Sequence, residues 1–337
     1  MDKVRAREFR IKKERKTTMG RKSIRILCAV VFCMIGLPLL LSFGIGGGQS
    51  KEREAGAKEE LLLNQSDAGD DVVCARPSGM LHLPMEEYLI STIAQVMGPE
   101  EPAEAMRALA VLLRTQVVYE SEQEGGCFVE QVKLLEELRE EWGEQSDAYM
   151  EIYRSAVADT AGIIMTWQGE VMETAYHQVS AGNTRNGSEV FGDRLPYLIS
   201  VACEEDLMSP QYYSRISFSK KDFFEKLRLL TGNENLTSAE LIIDQRDSAG
   251  YVISLTIRSE DTDAVQIGGE TFRSIMGLPS SHFSMEEEGD TVSFLCKGVG
   301  HGFGMSVYSA CRLAEKGTDF MDILRYFYPE AVFMRIA

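Results

Sequence analysis

From Ile26 to Ile45 the chain carries no charged side chain, and the apolar run is broken only by Gly36, Pro38, Ser42 and Gly44. Rising about 1.5 Å per residue, such a helix spans about 30 Å of hydrocarbon, so the run predicts a single transmembrane helix. A cleaved signal peptide is the competing reading, but the run is long for one, and Gly46-Gly47-Gly48 follows it rather than a small-x-small cleavage site. Residues 46–80 show no hydrophobic period and carry Asp67 to Asp71 and Pro77-Ser78-Gly79, which reads as a flexible polar linker. The remainder, 81–337, is expected to form the folded ectodomain.

Within that part the period is first helical. Tyr88, Leu89, Thr92, Ile93 and Val96 line one face of a helix opening at Pro84-Met85-Glu86-Glu87 and closed by Gly98-Pro99. A second, more apolar helix runs from Ala103 to about Tyr119, and an acidic helical stretch covers Val129 to about Asp159. From Gly162 the period becomes two: Ile163 to Trp167, a turn at Gln168-Gly169, and Val171 to His177 predict a hairpin ending on His177. Residues 179–193 read as loop, and Tyr197 to Val201 as a short strand. Lys220 to Leu230 reads as a helix, Leu241 to Asp244 and Tyr251 to Arg258 as a hairpin, Phe272 to Met276 as a helix and Thr291 to Cys296 as a strand. Two closing helices, Ser306 to Lys316 and Asp319 to Tyr328, complete an α+β fold of helices and short antiparallel strands around one groove.

Charge sharpens this topology. Eleven Lys and Arg and three acids precede the apolar run, a local +8 that holds the N-terminal tail, 1–25, in the cytoplasm and sends the C-terminal bulk across the membrane. The other 24 of the 35 basic residues and 49 of the 52 acidic ones follow, a balance of −25 that argues against nucleic acid as a partner. Five of the seven cysteines lie outside the apolar run, with no C-x-x-C pair, which makes neither a disulfide framework nor a zinc site.

The chemistry concentrates in Gly298-Val299-Gly300-His301-Gly302-Phe303-Gly304-Met305-Ser306. Glycines at alternate positions leave the backbone bare beside one imidazole, an arrangement expected where something lies close against the main chain. It reads as the floor of a binding groove, with a simple tight turn as the alternative. The spacing gives neither a dinucleotide fingerprint nor a phosphate-binding loop. Three segments are expected to meet there: the helix pair with Tyr88 and Arg114, the loop His177-Gln178-Val179-Ser180-Ala181-Gly182-Asn183-Thr184, and the turn around His301.

In this order the segments resemble the SpoIID/LytB family. The resemblance runs from about Leu81 to the C-terminus through Met85-Glu86-Glu87-Tyr88-Leu89-Ile90, Glu104-Ala105-Met106-Arg107-Ala108 to Arg114-Thr115, Tyr176-His177 with Ser180, Gly182 and Thr184, Pro196-Tyr197-Leu198, Phe272-Arg273 with Gly277-Leu278, and Gly300 to Ser306 with Tyr308. It implies a membrane-anchored lytic transglycosylase of sporulation that cuts denuded peptidoglycan glycan strands during engulfment, between mother cell and forespore. Its expected partners are a cell-wall amidase and other sporulation membrane proteins. The implied substrate-binding set is Tyr88, Arg114, His177, Ser180, Gly182, Thr184, Gly300, His301, Gly302, Gly304, Met305 and Ser306, with no cofactor.

The same resemblance places a catalytic glutamate where this chain has Val96, which cannot move a proton. General acid/base catalysis contributes about 10²–10⁴ in rate, so its loss is severe for a glycosidic bond. Glu100 and Glu101 are weak substitutes, and Leu109, Val307 and Ser309 also depart from the family pattern. Some members hold zinc through a histidine matching His177 and two cysteines, here Asn183 and Glu189, so no metal is expected. His177 then serves as a sugar hydrogen-bond donor or as a satisfied strand-end histidine. Two functions stay open: a transglycosylase, or a catalytically impaired glycan-binding protein that recruits or enhances an amidase. A membrane-complex scaffold is a third, which leaves the glycine-histidine turn unexplained.

Overall fold

The computed structural model describes residues 71–76, 79–124, 127–130, 132–259 and 263–336. The basic tail, the membrane run and most of the linker lie outside them, and no helix among the described residues is long and apolar enough to cross a membrane. The architecture is mixed α+β with short sheets, most pairings being antiparallel. Among the described strands, Asp71–Arg76 with Cys127–Glu130 and Tyr176–His177 with Met305–Ser306 pair in parallel.

Folding begins earlier than the loss of period at 46–80 suggests. β1 (Asp71–Arg76) and β2 (Gly79–Pro84) pair antiparallel, and β3 (Cys127–Glu130) adds to β1 in parallel. Val72 and Cys74 of β1 are buried, so this stretch is structure rather than tether. α1 (Met85–Val96) follows, then α2 (Ala103–Glu124), the axis of the larger core. Ala105, Met106 and every residue from Ala108 to Leu113 are buried, so α2 is covered on all sides, which accounts for its weak amphipathic pattern. Leu109 belongs to this core, as does Val307.

The expected single acidic helix is two. α3 (Leu135–Trp142) ends at Gly143, whose φ of 55° only glycine adopts easily, and α4 (Ser146–Asp159) restarts after one 3₁₀ turn. The bend brings Trp142 onto Tyr153, with ring centroids 5.6 Å apart. β4 (Ile163–Trp167) pairs with the two-residue β5 (Glu170–Val171) and, on its other edge, with the C-terminal β14 (Val332–Arg335).

A second lobe is inserted between the histidine loop and the glycine turn. β7 (Tyr213–Ser219), β11 (Phe283–Glu288) and β12 (Thr291–Lys297) form one sheet, and β8 (Glu240–Arg246), β9 (Val252–Arg258) and β10 (Val265–Gly268) another. With α6 (Lys220–Thr231) and α7 (Gly269–Met276) they enclose a separate core around Phe272, Phe283 and Phe294. α8 (Val307–Glu315) and α9 (Phe320–Phe327) return the chain to the first core.

Candidate functional site

The two distant histidines meet. β6 (Tyr176–His177) runs parallel to β13 (Met305–Ser306), with His177 opposite Ser306, and the His177 and His301 ring centroids are 5.9 Å apart. The predicted hairpin strand therefore stops short at Val171, and His177 is delivered by its pairing with Ser306, far along the chain. Both rings are buried.

Their protons follow from their partners. His177 Nδ1 lies 3.0 Å from the Phe303 carbonyl oxygen, which only accepts, so Nδ1 carries the hydrogen. Nε2 of the neutral ring is then a bare lone pair, buried without a hydrogen-bond partner. The expected hydrogen-bond donor is an acceptor, and the ring is satisfied on one side only. His301 is the reverse tautomer, its Nδ1 accepting from Phe303 N at 3.1 Å. Burial pushes both rings below the ordinary imidazole range. The effect is larger for His301, where His177, Arg273 and Arg185 add to it, whereas Asp206 and the Phe303 carbonyl oppose it at His177.

What lies against the bare glycine backbone is the chain itself. Gly298, Gly300, Gly302 and Gly304 all have positive φ. A Cβ at Gly300 would meet His177 Cβ at 2.8 Å, and one at Gly304 would meet the Ala175 carbonyl oxygen at 2.0 Å and the Tyr328 hydroxyl at 2.3 Å. These glycines let the turn press against the strand that bears His177. Met305 and Ser306, which follow, are fully buried.

The first helix completes the meeting. Val96, half-buried at the end of α1, offers its carbonyl to Gln178 Nε2 at 3.4 Å, and Tyr308 N donates to Gln178 O at 3.0 Å. The position matching the family glutamate thus stands beside the His177 strand, and its side chain is aliphatic. Neither nearby acid replaces it. Glu100 is exposed, its carboxylate folded back over Gly98, while Glu101 hydrogen-bonds the Cys311 thiol, which burial and that carboxylate push up.

The remaining expected residues divide. Tyr88 borders Tyr176, whose hydroxyl burial pushes up to about 12. Gly182 is half-buried, with Leu207 in front of it. Arg114 is fully buried, pairing with Glu86 at 3.2 Å and donating to the Thr160 and Val157 carbonyls, so it clamps α1 and α2 to the end of α4. Thr184 Oγ1 donates to Ile199 O and accepts from Val201 N, taking the place of a strand neighbour, so residues 197–201 form no strand.

Three residues stand outside the expected binding set. Gln178 is one; Asp206 is another, fully buried and accepting from Ser180 N, Ser306 Oγ and Ser309 Oγ. Arg185 is the third: it pairs with Asp247 and Glu270 of the second lobe, donates to His301 O, and lies between the Tyr251 and Phe303 rings. Nothing in the local pattern separates Asp206 from its neighbours Glu204 and Glu205. A cleft of about 670 Å³ lies elsewhere, by β1 and α3, and includes none of the expected site residues.

The donor set does not fit zinc. Asn183 is exposed, its backbone bridged to Ala202, and the Glu189 carboxylate accepts from Ser248 N at 2.7 Å and Ser248 Oγ at 2.6 Å. Those hydrogen bonds hold the Glu189 carboxyl below its ordinary range. Among the described residues no cluster of three or more His, Cys, Asp or Glu is disposed to hold a metal.

Residues 78–167 match the family model described as stage II sporulation protein. Stage II sporulation protein D of Bacillus amyloliquefaciens is 27% identical over 90% of this chain and 92% of its own length. That of Bacillus subtilis (strain 168) is 26% identical over 91% and 93%. The amidase enhancer of Bacillus subtilis (strain 168) is 22% identical over 52% of this chain and 31% of its own. With the helix pair, the His177 loop and the His301 turn assembled in one place, the chain is similar to stage II sporulation protein D over most of its length, and residues 78–167 match the family model itself.

Proposed function

We propose that this protein is a sporulation factor that binds denuded peptidoglycan glycan strands beside the His177 strand without cutting them, in support of a partner amidase. One observation carries the reading: an aliphatic residue, Val96, occupies the position of the expected acid, and its backbone carbonyl accepts from Gln178 Nε2. A lytic transglycosylase needs one carboxyl to protonate the glycosidic oxygen and then take the proton from the sugar's own hydroxyl. Glu101 and Asp206 are committed to other contacts, and Glu100 is exposed with its carboxylate turned back over Gly98. The retained elements suit binding: half-buried Gln178 offers a polar amide next to the buried His177 ring. Similarity to a protein named amidase enhancer supports the partner role. The reading includes an N-in anchor at 26–45 and an ectodomain in the space between mother cell and forespore.

The alternative is that the family's transglycosylase activity persists. Incubating the ectodomain, 71–337, with denuded strands separates the two by mass spectrometry. Strand retention without anhydro-ended fragments is the expected result, and fragments from the wild-type protein sink the proposal. Val96→Glu restores the acid beside Gln178, and a gain of cleavage is expected.

A further inference from the structure

We infer that Asp206 is a positioning residue that ties the loop after His177 to the start of α8 through hydrogen bonds, with no metal at that place. The inference does not depend on glycan binding. From Gly182 to Asp206 the chain forms only a five-residue helix, α5 (Gly187–Phe191), and two 3₁₀ turns. A loop of this kind needs a fixed point. Asp206 supplies one at its far end: Oδ2 accepts from Ser180 N at 2.6 Å, while Oδ1 accepts from Ser306 Oγ at 2.8 Å and Ser309 Oγ at 2.7 Å.

The placement of these donors gives the knot its meaning. Ser180 lies three residues beyond His177. Ser306 is paired with His177 across β6 and β13 and caps α8 by accepting from Ser309 N at 3.3 Å. One carboxylate therefore joins β13 to the segment that leaves β6, on either side of the two-residue pairing that carries His177. No Lys or Arg forms an ion pair with it among the described residues. A buried carboxylate is retained only if its lone pairs are filled, and three donors with the N-terminus of α8 close by meet that need. Charge-assisted bonds of this kind are about twice as strong as neutral ones. Glu189, in the same loop, has another task, gripping Ser248 of the inserted lobe.

The test reads metal content, thermal stability and the imidazole ¹⁵N signals of the purified ectodomain. The wild-type protein is expected to contain less than a tenth of an equivalent of zinc and to keep its Tm in excess EDTA. Asp206→Ala is expected to lower Tm by about 10 °C, as loss of a buried charge-centred network does in a domain of this size. Well below that Tm it should also shift the His177 Nδ1 and Nε2 resonances, which a merely global loss of stability would leave in place. Should Asp206→Ala fail to fold, Ser309→Ala removes one donor of three and is expected to move the same resonances less far. Stoichiometric zinc, a Tm that falls on chelation, or His177 signals unmoved in Ser309→Ala and in any folded Asp206 variant would each overturn the inference.

Discussion

Gly304 shows at a single residue why the turn cannot vary. Its φ is 67°, and a Cβ there would sit 2.0 Å from a backbone carbonyl that belongs to the His177 strand and cannot move aside. Gly304→Ala is therefore expected to cost about 3 kcal/mol or more by urea denaturation, combining left-handed strain with overpacking. Gly317 also has positive φ, 90°, but faces open space, so Gly317→Ala carries the strain alone, about 1 kcal/mol. The imidazoles give a second test. In the unfolded chain a histidine protonates near pH 6.5, whereas burial lowers the folded values of His177 and His301. Below pH 6.5 the unfolded state thus binds more protons, and stability falls with pH. The expected slope approaches about 1.4 kcal/mol per pH unit for each histidine until its folded value is reached. Stability is complete above that window. Replacing both by glutamine should flatten the slope, as read by urea midpoints between pH 7 and pH 5.

Among elements, the helices were legible and the pairings that build the site were not. α1, α8 and α9 each bury one face and carry an i, i+3, i+4 stripe, while Pro84, Ser306 and Asp319 mark their starts. β6 and β13 are two residues long, too short to have a period, and exist because the glycine turn lies against residue 175 and its neighbours. Tyr197 to Val201 read as a strand because Tyr197 and Leu198 are apolar, yet they fill the core while the Thr184 side chain holds the backbone. β1 lay hidden in a stretch of Asp and Gly whose buried positions are only Val72 and Cys74. Arg185 escaped notice because its partners come from a lobe inserted after it. Its guanidinium and the Asp247 carboxylate are both buried and 2.5 Å apart. Arg185→Met leaves that carboxylate uncompensated and is expected to destabilise by about 3–5 kcal/mol. Adding Asp247→Asn removes the stranded charge, so the double variant should be more stable than the sum of the single changes, a coupling measurable by a double-mutant cycle.

For the whole molecule, charge and chemistry pull in opposite directions. After residue 25 the chain carries 49 acidic residues against 24 basic ones, while a denuded glycan strand bears a carboxylate on each muramic residue. The two surfaces repel, so attraction must come from short-range contacts with Gln178 and its half-buried neighbours. Long-range repulsion is screened by salt, the Debye length shrinking from about 30 Å at 0.01 M to about 8 Å at 0.15 M, whereas buried hydrogen bonds are little affected. Retention of muramic-acid strands is therefore expected to strengthen several-fold over that range, chiefly through faster association. A neutral N-acetylglucosamine oligomer of the same length meets no such repulsion and should bind with little salt dependence. Measuring both on the immobilised ectodomain separates long-range charge from local recognition. Weakening of the muramic strands with added salt would mean that a basic surface holds them, contrary to the −25 that the chain carries beyond residue 25.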